Sequence, residues 1–388
     1  MRNPSFRWLI LPLLASLLAS CELNKEYRPR SVGDIIQEVR PKVQPDKRLS
    51  VFRVDYRGDH GDWTLTGEVS SQEALDTLLA ELQKGFPQAE FKNQVVVLPP
   101  KELEGEKHGI VRISVASQYR DSKYQSELIN QALMGMELRI LRQKEGWYYV
   151  QLPDGYLGWM PGGSSVRGGD EFIQTWRRKP KLIVRSITGL VRIEPSTDSA
   201  VVSDVVRGVS LAMVSERKGW TEVELPDGRR GFLESASLIR DHELAALKAT
   251  PEALEKTARE MLGFPYLWGG TSTKGMDCSG FTVSIFRFNN MLLPRDADMQ
   301  SNAGQELKID PSLGQLNKGD LLFFGSSEDR ITHVGMYLGE GKLIHSSGQV
   351  RINSLRQQDP EFDSDLLARL RKARRFLLAE TPASESHE

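Results

Sequence analysis

A hairpin-like segment of this chain occurs twice, and that repetition limits its architecture more than anything else in the sequence. Gly146-Trp147-Tyr148-Tyr149-Val150-Gln151-Leu152-Pro153-Asp154-Gly155-Tyr156-Leu157-Gly158-Trp159 returns 73 residues later as Gly219-Trp220-Thr221-Glu222-Val223-Glu224-Leu225-Pro226-Asp227-Gly228-Arg229-Arg230-Gly231-Phe232. In each copy a run alternating aromatic and branched residues enters Pro-Asp-Gly, a tight-turn sequence, and leaves as a second run. Period-two alternation marks strands with one buried face, so each copy reads as a hairpin of a small β-barrel. Two such modules stand in tandem, and 388 residues leave room for further domains on both sides.

The repeated pattern resembles bacterial SH3-like (SH3b) domains, over roughly residues 109–168 and 180–240. Such modules usually bind or position, and fold alone names no ligand. Upstream, Leu49 to Val54 and Trp63 to Val69 alternate like strands. Ser70 and Glu73 form a capping-box pattern before a helix with Ala74, Leu75, Leu78, Leu79 and Leu82 on one face, and Val95 to Leu98 supplies a last strand. This small α+β region, 47–100, loosely resembles BON-like modules of envelope proteins and carries no side chain that suggests chemistry. Residues 22–46 are charged and hold Pro29, Pro41 and Pro45 around a brief apolar cluster at Ile35 and Ile36. They read as a tether.

The chain has two cysteines, Cys21 and Cys278, so no disulfide framework or cysteine-rich zinc site fits unless these distant positions pair. Residues 1–20 hold Arg2 and Arg7, then an apolar run from Trp8 to Ala19, the three-part plan of a secretory signal. The run falls short of the ~20 residues of a spanning helix. Leu18-Ala19-Ser20-Cys21 resembles a bacterial lipobox, which implies diacylation of Cys21 and a lipoprotein held at a membrane of the cell envelope, the periplasmic face before the cell surface. The alternative is an ordinary signal peptide with a coincidental cysteine.

Residues 251–262 read as a helix opened by Pro251 and closed at Gly263. The glycine-rich Phe264-Pro265-Tyr266-Leu267-Trp268-Gly269-Gly270 follows, then Asp277-Cys278-Ser279-Gly280-Phe281 and an apolar stretch to Asn289 that forms a helix beginning at the cysteine. Unpaired N–H groups at a helix N-terminus favour thiolate over thiol, which makes Cys278 a candidate nucleophile, against the commoner fate of a buried structural cysteine. His333 lies in Thr332-His333-Val334-Gly335-Met336-Tyr337-Leu338-Gly339 and His345 in Leu343-Ile344-His345-Ser346, with the turn sequence Gly339-Glu340-Gly341-Lys342 between. Adjacent antiparallel strands bring the imidazoles together, one as base and the other to orient it.

These motifs, with Arg295-Asp296-Ala297 and Lys318-Gly319-Asp320-Leu321, make residues 247–380 strongly resemble the NlpC/P60 cysteine peptidases of cell-wall metabolism, an α+β, circularly permuted papain-like fold. The resemblance implies Cys278 as nucleophile, His333 as general base and acid, and His345 as third polar residue. It implies hydrolysis of the bond between the γ-carboxyl of D-glutamate and a diamino acid in peptidoglycan stem peptides. With two SH3b modules ahead, the architecture resembles the muropeptide dipeptidyl-peptidases that release L-Ala-γ-D-Glu, in which the first barrel leans over the site and restricts it to a free N-terminal alanine. Glu127 and Tyr156 are the barrel positions carried over. Asp277 is the carboxylate expected at the α-amine, with Tyr266, Trp268, Ser279 and Asp296 lining the pocket. A blander alternative makes Asp277 a helix cap and the two aromatics core residues.

With 51 basic against 52 acidic side chains, a bulk nucleic-acid partner is excluded, and no metal or phosphate motif asks for a cofactor. Two competing functions stay open: a lipid-anchored wall-binding protein with an inactive peptidase domain, and an N-acetylmuramoyl-L-alanine amidase of the related CHAP type. The intact Cys, His, His set argues against the first.

Overall fold

The structure is a computed structural model that describes residues 30–59 and 61–377. The secretory segment and Cys21 lie outside the described residues.

The first domain starts earlier than expected. Residues 32–43, read from sequence as part of a tether, form the helix Val32–Val43, capped by Ser31, whose hydroxyl accepts from Asp34 N–H. Val32, Ile35, Ile36 and Val39 recur at helical spacing and are buried against Phe52, Leu65, Leu78 and Leu82. Strands Phe52–Asp59 and Asp62–Val69 pair antiparallel, and Glu90–Val97 joins the second in parallel after the helix Gln72–Gly85 crosses over. That helix is capped by Ser71, one residue later than expected, while the Ser70 hydroxyl accepts from Val51 N–H.

Each repeat copy is a hairpin. Trp147 pairs with Pro161 and Gln151 with Leu157; Trp220 pairs with Glu234 and Glu224 with Arg230. Each hairpin belongs to a seven-stranded antiparallel sheet. The sheets are SH3-like but do not close into the barrels expected from sequence: the two end strands of each remain unpaired with one another. In the first, the end strand Leu128–Leu133 is covered instead by the C-terminal domain, where Thr271 Oγ1 donates to the backbone carbonyl of Gln131 at 3.1 Å. A helix that the sequence did not announce, Asp170–Arg178, joins the two sheets through Ile173 and Trp176.

The C-terminal domain packs the helix Cys278–Phe288 against a six-stranded antiparallel sheet whose central strands are Leu321–Ser327, Arg330–Gly339 and Lys342–Ser347. Phe281, Ile285 and Phe286 from the helix and Phe323, Val334, Met336 and Ile344 from the sheet make one core. Fully burying such side chains stabilises by ~1.5–3 kcal/mol each, so the helix that begins at Cys278 is held rigidly over the strands that carry the histidines.

Candidate active site

The helix Cys278–Phe288 begins where Asp277, in extended backbone, turns its carboxylate onto Gly280 N–H at 2.6 Å. A Cβ on Gly280 would meet the carbonyl oxygen of Gly270 at 2.0 Å, so only glycine permits this tight entry. The geometry seats Cys278 in the first turn, as the sequence suggested, and leaves it 8% exposed. The backbone N–H groups of Val334 and Ser279 favour the anion, yet the thiol's pKa is pushed up to about 12, chiefly by burial and then by the negative charge of Asp277. Burial therefore outweighs the helix N-terminus, and the resting sulfur is a thiol where the sequence argument favoured a thiolate.

Val334 follows His333, so the strand beside the sulfur also carries the imidazole. His333 Nε2 lies 2.7 Å from His345 Nδ1, and His345 Nε2 lies 2.9 Å from Asn353 Oδ1. Gly335 makes room for this contact: a Cβ there would come within 3.0 Å of the His345 Cβ. The Asn353 oxygen can only accept, since its amide nitrogen is turned to the Glu361 carbonyl. It follows that His345 carries its proton on Nε2 and accepts on Nδ1, and that His333 donates from Nε2. The lone pair of His333 Nδ1 is left over as the base. Burial first, then His345, Arg369 and Arg351, pull the His333 pKa down to about 3, which keeps the ring neutral in solution near pH 7. His345 is 1% exposed and is likewise lowered by burial. Asn353, which ends this chain of hydrogen bonds, was not picked out in the sequence; a single polar residue on an alternating strand gives no local signal.

A cavity of about 930 Å³ opens at the thiol and is lined by every other residue singled out for substrate: Glu127, Tyr156, Tyr266, Trp268, Asp277, Ser279 and Asp296. Trp268 is 61% exposed to solvent, and its indole N–H donates to Glu127 Oε1 at 2.9 Å, linking the first SH3-like domain to the peptidase side. Tyr266 has its phenol held well above the usual range, chiefly by burial. Tyr156 donates its hydroxyl to Asp296 Oδ2 at 2.9 Å.

Asp277, expected at the substrate amine, is already committed. Oδ1 accepts from Gly280 N–H, the Ser279 hydroxyl and Arg295, and Oδ2 accepts from Gly269 N–H at 2.9 Å and Arg295 Nη2 at 2.7 Å. Arg295 is 2% exposed and is fixed in turn by Asn130 of the first SH3-like domain at 3.0 Å. Asp277 is thus the cap of the nucleophile helix and the anion of a buried ion pair. Asp296 differs. Its Oδ2 accepts from Tyr156 and from Arg48 Nη1, but its Oδ1 has Arg295 no nearer than 3.9 Å, beyond hydrogen-bond reach. That oxygen is left without a hydrogen bond.

Three regions match known families: residues 263–365 the NlpC/P60 family, 119–164 the bacterial dipeptidyl-peptidase SH3 domain, and 188–239 the bacterial SH3 domain. Dipeptidyl-peptidase 6 of Lysinibacillus sphaericus is 31% identical over 271 residues, 67% of this chain and 96% of that protein. The gamma-D-glutamyl-L-lysine dipeptidyl-peptidase of Bacillus cereus is 32% identical over 233 residues, 57% of this chain and 68% of that protein. A crystal structure of an NlpC/P60 family protein from Bacillus cereus superposes over its entire length on 70% of this chain, with a TM-score of 0.61 at 26% identity. The small α+β domain lies ahead of all three matched regions.

Proposed function

Because the chain belongs to the NlpC/P60 family of cysteine peptidases and carries two bacterial SH3 domains before its peptidase domain, we propose that it hydrolyses the bond between D-glutamate's γ-carboxyl and the diamino acid of peptidoglycan stem peptides, and that it acts on peptides with a free N-terminal L-Ala. Relatives named dipeptidyl-peptidase and gamma-D-glutamyl-L-lysine dipeptidyl-peptidase support the bond. One observation carries the free-amine requirement: the Oδ1 of Asp296, without a hydrogen bond in the cleft of Cys278, beside Tyr156 of the first SH3 domain. An ammonium leaving water needs a fixed anion, and a site built around such a pair rejects analogues that lack the charge.

In the reaction Cys278 Sγ attacks the γ-carbonyl carbon as its proton passes to His333 Nδ1, since neither group is ionised at rest. The proton then goes to the departing amine of the diamino acid. L-Ala-γ-D-Glu stays on sulfur as a thioester, and a water molecule deprotonated by the same imidazole releases it. His345 and Asn353 hold the His333 tautomer through each transfer.

The same proposal includes lipidation at Cys21 and residence at an envelope membrane facing the periplasm; because the L-Ala amine must be free, the substrate is stem peptide already separated from glycan. Among the described residues no helix is long and apolar enough to cross a membrane. Two measurements test the reading. Mass spectrometry of defined muropeptides should show dipeptide release from L-Ala-γ-D-Glu-diamino acid and little release from its N-acetyl form or from intact sacculi; release of the stem from sugar would make it an amidase instead. Cys21→Ser should move the protein from the detergent phase to the aqueous phase, and unchanged partitioning would remove the anchor.

A further inference from the structure

The segment between the helix Val32–Val43 and the strand Phe52–Asp59 enters the cleft. Leu157 N–H donates to the Arg48 carbonyl at 2.8 Å and the Gln151 side chain to the Leu49 carbonyl at 2.9 Å, which pins this backbone beside Tyr156. Val51 and Leu98 pack on Leu141, Tyr149 and Leu157 of the first SH3 domain, so the small domain is docked firmly there. From this base the Arg48 side chain spans two domains. Nη1 reaches Asp296 Oδ2 and Asp298 Oδ1, each at 2.8 Å; Nη2 reaches Asp298 Oδ2 at 2.8 Å; Nε and Nη2 hold Asp46. Pro45, Asp46, Lys47 and Arg48 all line the cavity at Cys278.

We infer that Arg48 is a positioning residue for substrate selection: the N-terminal domain uses it to fix Asp296 with one oxygen bound and the other turned to the N-terminal amine of the substrate. The inference rests on the free-amine reading above. A planar guanidinium grips both oxygens of Asp298 while it reaches Asp296, a rigid fork that a lysine ammonium does not have. Its charge also has work to do there. Burial raises the Asp296 pKa, and Arg295, Tyr156 and Arg48 oppose that rise while Asp46 and Asp298 add negative charge nearby. Six carboxylates and five cationic side chains, Lys47, Arg48, Arg53, Arg120 and Arg295, line the cavity, so its charge is close to balanced and the counter-charge for an incoming ammonium falls to the free oxygen of Asp296.

The test is the ratio of kcat/KM for L-Ala-γ-D-Glu-diamino acid to that for its N-acetyl form, measured with full-length wild type and Arg48→Ala. The expected result is a high wild-type ratio that falls about tenfold in the variant, mainly through KM for the free-amine peptide. The acid limb of kcat/KM for that peptide should move to higher pH as Asp296 loses its partner, whereas a merely structural loss would lower both substrates together without moving the limb. A wild-type ratio near one overturns both the free-amine reading and this inference. A high wild-type ratio kept within twofold by Arg48→Ala overturns the role of Arg48 alone. If Arg48→Ala does not fold, Arg48→Lys, which keeps the charge and loses the fork, is judged by the same twofold limit.

Discussion

At the scale of single residues the site is a proton path of neutral groups. Cys278→Ala should abolish turnover on any stem peptide while the fold is kept, and a variant that retained most of its activity would remove the nucleophile. Asn353→Ala should lower kcat about 10- to 100-fold with KM little changed, the usual effect of losing an outer hydrogen-bond partner. Asn353→Asp should keep the geometry but favour the charged imidazoles, moving the acid limb of kcat upward in pH. The His333 shift also links to stability. Its folded pKa is depressed to about 3, while an unfolded histidine takes up its proton near 6.5. Between those values the unfolded chain binds more protons, so stability contributed by this residue is lost as pH falls from about 6.5 towards 3. His333→Gln should accordingly lose less Tm between pH 7 and pH 4 than wild type, and parallel slopes in thermal melts would contradict the assignment.

At the scale of elements the nucleophile helix depends on Asp277 in two ways, as its cap and as the anion opposite buried Arg295. Asp277→Asn retains a cap but strands the guanidinium, and breaking a buried pair costs roughly 3–5 kcal/mol. Denaturant melts should show a loss of that order, with activity on free-amine and N-acetylated peptides falling together. Selective loss on the free-amine peptide at unchanged stability would return the amine-binding role to Asp277. Elements whose sequence carries its own turn or cap chemistry were legible: both Pro-Asp-Gly hairpins, the helix starting at Cys278, and the strands of His333 and His345 joined through Gly339 to Lys342. The helix Val32–Val43 was not, because Pro41 and the surrounding charge masked a sound apolar stripe; the proline sits in the last turn. The thiol was placed correctly but its protonation was not, since burial depends on contacts with Val334 and its neighbours that no local pattern reports. Arg48 and Asn353 were invisible for the same reason.

At the scale of the molecule, three domains share one cleft, and the seam between the first SH3 domain and the peptidase domain is where function and stability meet. Gln131 sits at the centre of that seam. Its Oε1 accepts from Thr271 N–H and from the Ser272 hydroxyl, each at 3.0 Å, and its backbone carbonyl takes the Thr271 hydroxyl. Nearby Asn130 fixes Arg295, so the strand Leu128–Leu133 also steadies the cap of the nucleophile helix. Gln131→Ala leaves two buried donors without an acceptor, which costs about 1–3 kcal/mol each. The same change loosens the wall that carries Tyr156 and Glu127 against the strands that carry His333. Thermal melting of the wild type should therefore show the first SH3 domain and the peptidase domain unfolding together. In Gln131→Ala that joint transition should shift down, with KM for the free-amine peptide raised more than kcat is lowered, because the chemistry of Cys278, His333 and His345 lies wholly within the peptidase domain. Two separate transitions in the wild type, or a variant with unaltered KM, would mean that the seam only tethers the domains and takes no part in shaping the cleft.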